Sequence, residues 1–317
     1  MLSFSPDTPI GPERFYREMS PQLAARLRQM WSARGHDLDR IWAQVIRALP
    51  GFRPLPAAPP GPDSRAHDGL CLFDQGLIWL SALHRAAASG GEVQELDLSA
   101  EQLRAGAVLT GRMVETMAAI RQLILSGLTL PALQLARSVS EDVDMVLALL
   151  LRRRLAGQFL DCRTADEAND FWRRHIAGGR AFRVVAEKLY AIGLDHSDSS
   201  EYGRWRREVL TLLGSAIHSS PLGPPGAGAA GWPADPVARD CLQFVTHRLH
   251  ELCAWAHLLD IGLNRDLARI AAAHAGTAQA GATQAEAGLL VYAATSRDIL
   301  LDQLRWTVAG SGQGPAG

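Results

Sequence analysis

The sequence predicts an all-α protein, an up-and-down helical bundle with an N-terminal helical accessory layer. Apolar residues recur at spacings of three and four over most of the chain, and no stretch shows the alternation typical of a half-buried strand. Helix-start signals, such as a serine or threonine followed by proline, glutamine or glutamate, precede the main periodic segments. With 317 residues, 47% hydrophobic and 21% charged, the chain is long enough and apolar enough to build a real core.

Four regions follow from the placement of these segments. Residues 1–95 are an N-terminal helical accessory region, 96–263 the main bundle, 264–309 C-terminal helices packed on the bundle, and 310–317 a disordered tail. Two segments rich in proline and glycine, 51–64 and 219–236, interrupt the helices, and we expect the second to be mobile.

Capping signals place the helices of the accessory region. Ser20 and Pro21 open a helix that runs to about residue 32, and Asp37 opens a short second one. A third covers about 70–88 and is ended by the glycines at 90 and 91.

In the bundle, Ser99 and Gln102 form a capping-box pattern for a helix that ends near residue 125. Thr164 and Ser200 cap two later helices, and glycines at 178 and 179 separate the first of these from a helix over 180–192. Further helices are predicted over 237–262, 265–274 and 285–308. The helices that start at Ser99, Pro131, Ser200 and Pro236 are expected to pack in alternating directions.

The segment 129–156 is predicted to be one long helix that ends in three consecutive arginines, Arg152, Arg153 and Arg154. One broad face is apolar. A polar band of Arg137, Ser140, Glu141 and Asp144 lies on the opposite face, with apolar residues before and after it.

Two interpretations of the polar band remain open. The first is an ordinary solvated face with an Arg137–Glu141 pair four residues apart. The second is a helix covered on both sides, with a small polar site between its neighbours. The solvated face is the more common arrangement on helices of this kind.

His218 is the main candidate for chemistry. It closes a helix, and it shares a face of that helix with Arg204, Arg207, Thr211 and Ser215. A histidine beside arginines can transfer protons next to a bound phosphodiester while the arginines hold its charge. A histidine that only caps the end of a helix is the structural alternative.

A resemblance supports the chemical interpretation. The segments ARSVSED (136–142) and LLGSAIHSS (212–220) combine an R-x-x-x-E helix with an S-x-x-H helix end. This combination resembles a set of bacterial helical proteins related to the HEPN superfamily, over roughly residues 99–263. HEPN signatures have an arginine a short distance before a histidine, whereas ten residues separate Arg207 from His218.

The resemblance implies a bundle that is commonly dimeric and, in many members, a metal-independent ribonuclease of a toxin–antitoxin or phage-defence module. It implies RNA as a partner and His218 as the catalytic residue, with Arg137 and Glu141 as its partners across the bundle. Arg204, Arg207 and Ser215 are then candidate binding residues. We expect His218, Arg137 and Glu141 to converge on one polar pocket, because an arginine and a carboxylate on a covered face need polar partners.

A second constellation has the residue types of metal ligands. His247, His250, Cys253 and His257 fall within about a third of one helix circumference. No carboxylate-rich partner helix of the kind that a di-metal bundle site requires is evident, so core and boundary roles are favoured and no metal or cofactor is predicted.

Composition bounds the remaining possibilities. The net charge is −1, which gives no global attraction to nucleic acid or to an anionic membrane. The four cysteines form no C-x-x-C pair, and no signal peptide or long apolar run is present, so we expect a cytoplasmic protein that has no membrane segment. No phosphate-binding loop, nucleophile elbow or kinase signature occurs.

The sequence is therefore consistent with two functions of different classes. The first is a HEPN-like bundle that cleaves RNA or serves a defence or toxin module. The second is a non-enzymatic helical interaction or scaffold protein that acts as a homodimer or through another protein.

Overall fold

The computed structural model describes residues 11–16, 18–42, 64–93, 95–217, 232–275, 297–298 and 300–302. All regular structure in these residues is helical, which confirms the predicted all-α bundle. The helices are α1 Pro12–Phe15, α2 Pro21–Ser32, α3 Ser64–Ser89, α4 Ala100–Leu125, α5 Thr129–Leu151, α6 Arg153–Asp161, α7 Ala165–His175, α8 Arg180–Ala191, α9 Glu201–Ile217, α10 Pro236–Leu258 and α11 Leu263–Ala275.

Several predictions fall wholly or largely on other residues. Most of the proline-rich connector 51–64, of the loop 219–236 and of the helix over 285–308 lies outside the described residues, and so does all of the tail 310–317. The division of the chain at residues 95, 263 and 309 stays a prediction.

Local signals account for several helix ends as predicted, whereas the helix predicted over about 70–88 begins earlier, at Ser64. Ser99 and Gln102 form a reciprocal capping box at the start of α4, and Thr164 and Glu167 form another at the start of α7. Gly178 has a φ of +65°, a left-handed backbone conformation that residues other than glycine rarely adopt, and it separates α7 from α8.

The prediction of one long helix over 129–156 is wrong at the C-terminal end of that segment. The helix α5 stops at Leu151, because Arg152 has φ −131° and ψ 89°, and α6 begins at Arg153 in a new direction. The new direction buries Leu155 and Ala156 in the core. No glycine or proline marks this break, so the burial of the following turn, and not a local breaker, decides it.

Side-chain contacts fix the directions of α5 and α9. Gln134 near the start of α5 donates to the carbonyl of Ala216 near the end of α9, at 2.7 Å. Asp144 further along α5 pairs with Arg206 near the start of α9. The two helices therefore run antiparallel.

The helix α10 runs parallel to α5. Thr129 at the start of α5 donates to Asp235, the N-cap residue of α10, at 2.6 Å, and Asp144 meets Arg248 further along both helices. A tight turn over 126–128 joins α4 to α5, and these two helices make extensive contacts. The order α4, α5, α9, α10 thus alternates in direction, as predicted.

The N-terminal layer is joined to the bundle by α3, which lies antiparallel to α4. Asp74 of α3 meets Arg121 of α4, and His84 lies 3.0 Å from the carbonyl oxygen of Ala107. On the α10 side, a Cβ at Gly76 would stand 2.9 Å from Leu249, so a glycine permits the close approach of these helices. One continuous cluster of buried apolar residues runs through all these elements.

None of the described helices is both long and apolar enough to cross a bilayer.

Candidate functional site

The polar band of α5 is divided between the interior and the surface. Ser140 and Asp144 are buried, with 1% and 4% of their surface exposed. The side chains of Arg137 and Glu141 remain 31% and 39% exposed. The covered-helix interpretation therefore holds for one half of the band and the solvated-face interpretation for the other.

Arg137 uses its guanidinium to hold α9 against α5. Its Nε lies 3.3 Å from Glu141 Oε1, the predicted pair four residues apart, and its Nη1 donates to the carbonyl oxygen of Leu210 at 2.9 Å. A Cβ at Gly214 would lie 3.1 Å from this Nη1, so the glycine leaves room for the guanidinium. Arg137 thus serves the packing of two helices.

The register of α5 and α9 separates the C-terminal end of α9 from Glu141. Ala216 lies level with Gln134, which is seven residues before Glu141 and therefore about 10 Å from it along the helix axis. His218 itself lies outside the described residues. The predicted convergence of His218, Arg137 and Glu141 on one pocket stays a prediction.

The three predicted binding residues lie on the outer side of α9. Arg204 and Arg207 are exposed and Ser215 is half-exposed. Arg204 Nη1 donates to the carbonyl of Ser199 at 2.8 Å, and Ser215 Oγ donates to that of Leu212 at 2.6 Å. These residues do not meet the Arg137–Glu141 pair, which faces α9 from the other side.

The inner half of the band belongs to a buried cluster of four charges that the sequence analysis did not find. Asp144 pairs with Arg206 of α9 and with Arg248 of α10, the latter at 2.6 Å. Arg248 also pairs with Glu251 and donates to the hydroxyl of Tyr202 at 3.1 Å. Two guanidinium groups thus balance two carboxylates, which is the condition under which buried charges are tolerated.

Aromatic rings shield this cluster from water. The Arg206 guanidinium lies 4.0 Å from the centre of the Phe182 ring, and that of Arg248 lies 5.8 Å from the Trp255 ring. Burial alone would lower the pKa of Arg206, but the Asp144 carboxylate and Tyr202 outweigh it and raise that pKa. Arg206 therefore stays charged, and the buried cluster suits a structural joint between three helices.

The histidine and cysteine stripe of α10 is also divided between the interior and the surface. His247 Nε2 lies 3.1 Å from Glu251 Oε1, and burial together with Arg248 lowers the pKa of His247 to about 4. Cys253 is buried, which raises its pKa to about 12, and His257 is exposed. Within the described residues, no group of three histidine, cysteine or acidic side chains could hold a metal ion.

A second buried carboxylate of α5 lies on the side of that helix that faces α4. Asp142 is only 2% exposed, and its carboxylate accepts hydrogen bonds from both Nε and Nη2 of Arg112 in a bidentate pair. The bond from Nε is 3.0 Å long. This pair, together with Glu141, lines one wall of a cleft of about 280 Å³ between α4, α5, α6 and α7. The wall formed by α6 and α7 includes the rings of Phe159, Phe171 and Trp172.

Comparisons of the chain with protein-family models, with curated proteins and with solved structures find no match. The resemblance to HEPN proteins stays a prediction from two short motifs.

Proposed function

We propose that this chain is a non-enzymatic helical protein that acts by binding another protein chain, in a homodimer or with a different partner. One observation carries the proposal: the charges of the α5 polar band are engaged within the fold. Asp144 is paired with two arginines, and Arg137 is bonded to Leu210 and Glu141. A catalytic role would require these groups to turn towards a substrate.

The surface offers apolar contact area for such a partner. Large apolar side chains at Leu128, Leu130 and Leu212 are 43–51% exposed. Light scattering across a concentration series tests for the homodimer.

The four free cysteines fit a reducing compartment, and we propose that the protein acts in the cytoplasm.

The HEPN-like ribonuclease of a bacterial toxin or phage-defence module is the second candidate. It is supported by Arg204 and Arg207, which are exposed on α9, the helix whose last turns lead towards residue 218. Exposed arginines of this kind can hold phosphates. In this version His218 transfers the proton, and Arg137 and Glu141 assist it.

A cleavage assay without metal separates the two candidates. Wild type and His218→Ala are incubated with a mixed RNA pool in the presence of a chelator, and both are compared by thermal melting. The binding-protein proposal expects that neither protein cleaves RNA above a mock-purified blank. Cleavage by the wild type that His218→Ala abolishes, at an unchanged melting temperature, would overturn it.

A further inference from the structure

The cleft between α4, α5, α6 and α7 combines an aromatic wall with a charged one. Phe159, Phe171 and Trp172 supply rings, and Trp172 is 45% exposed although it is a large apolar side chain. The volume of about 280 Å³ is just below the usual range for small-molecule sites, so a ligand has to be small. The cleft therefore offers aromatic rings and charged groups to one ligand.

The charged side chains that line the cleft are one arginine, Arg112, and two carboxylates, Glu141 and Asp142, so the lining itself has one formal negative charge in excess. Arg137, which pairs with Glu141, does not line the cleft. Arg112 uses its Nε and Nη2 in the bidentate pair with the buried Asp142, so the two neutralise each other. Glu141 is 39% exposed and is held by Arg137 at the longer distance of 3.3 Å.

We infer that this cleft binds a small organic cation, an ammonium group on an apolar body. The faces of aromatic rings attract cations, and the Glu141 carboxylate supplies the matching charge. An anionic ligand would bring a third carboxylate to the wall, and a neutral ligand would gain the apolar contact alone. This cleft shares Glu141 with the polar pocket expected around His218, but its other lining residues differ, and the inference does not depend on whether RNA is cleaved.

Three probes of similar size test the charge preference on the full-length protein. Phenethylamine, 2-phenylethanol and phenylacetate carry the same ring with a positive, neutral or negative end, and isothermal titration calorimetry measures their binding at neutral pH. We expect phenethylamine to bind at least about tenfold more tightly than either of the others. Equal or tighter binding of phenylacetate or 2-phenylethanol, or no heat from phenethylamine up to about 10 mM, would overturn the inference.

Two variants assign the binding to this cleft. Glu141→Gln should weaken the binding of phenethylamine about tenfold and leave 2-phenylethanol unchanged, because it removes charge and keeps the shape. Trp172→Ala should weaken the binding of all three probes, because it removes one wall. The matched controls are Glu187→Gln and Tyr190→Ala, exposed residues that do not line the cleft. Unchanged affinity in Glu141→Gln, or equal losses in the controls, would place binding elsewhere and contradict the assignment.

Discussion

Arg248 donates a hydrogen bond to Asp144 across 2.6 Å, and both side chains are almost fully buried. This contact joins α10 to α5, and the pairing of Asp144 with Arg206 adds α9 to the same point. Buried charges are expensive to desolvate and tolerate few geometries, so a joint of this kind fixes how the three helices meet. The polar residues of α5 therefore have a structural explanation that needs no substrate.

The N-terminal segment is held to the bundle by a second buried polar contact, and Tyr16→Phe tests its strength. The Tyr16 hydroxyl donates to Asp74 at 2.5 Å, while Arg121 holds the same carboxylate from α4 at 2.9 Å. We expect Tyr16→Phe to lower the free energy of unfolding by about 1–2 kcal/mol, because one buried charge-assisted bond is lost. Urea denaturation measures this loss.

Tyr190→Phe is the control for Tyr16→Phe, since Tyr190 is 70% exposed and its substitution should change the stability by less than about 0.5 kcal/mol. Equal effects of the two substitutions would mean that the Tyr16 contact contributes little.

Alkaline pH should destabilise the fold through its buried thiols. Burial raises the pKa of Cys241 and of Cys253 to about 12. The unfolded chain releases these protons near its ordinary thiol pKa while the folded chain retains them, so stability falls as pH rises above about 9. Each thiol should cost on the order of 2 kcal/mol by pH 10.5.

Urea denaturation under reducing conditions at pH 8 and 10.5 tests the effect of the thiols. Cys241→Ala should be less stable than wild type at pH 8 and should lose less stability between the two pH values. A variant with the same pH dependence as wild type would show that Cys241 does not contribute.

Acidic pH should destabilise the fold through the protonation of His247. Burial and the neighbouring Arg248 lower its pKa to about 4 in the folded chain, whereas the unfolded histidine binds its proton near 6.5. A base with a lowered pKa loses stability as pH falls from about 6.5 towards 4. We expect His247→Gln to lose less stability than wild type between pH 7 and pH 4.5, as measured by thermal melting. The control is His257→Gln, which changes an exposed residue and should lose as much stability as wild type.

Much of the fold could be predicted because its signals are local. The capping boxes at Ser99 and Thr164 and the glycine break at Gly178 place helix ends by rules that act within a few residues. The break at Arg152 could not be predicted in this way, since it depends on the burial of Leu155 against helices distant in sequence.

The buried charge cluster was missed for a related reason. Arg206 shares the face of α9 that carries Leu210 and Leu213, and Arg248 lies in a run of buried α10 residues. An arginine within an apolar stripe was the one sign in the sequence that these side chains are buried. Asp144 was correctly assigned to the polar band, but Arg206 and Arg248 lie 62 and 104 residues away from it, so the pattern of a single helix does not reveal the pairing.

Chemical denaturation of Asp144→Asn beside Glu141→Gln tests most directly whether the α5 band serves the fold. Both substitutions replace a carboxylate by an amide in one helix, one turn apart. Asp144→Asn leaves two arginines without their shared buried anion and should cost about 3–5 kcal/mol, whereas Glu141→Gln breaks a half-exposed pair and should cost less than about 1 kcal/mol. Equal and small losses for the two variants would contradict the account.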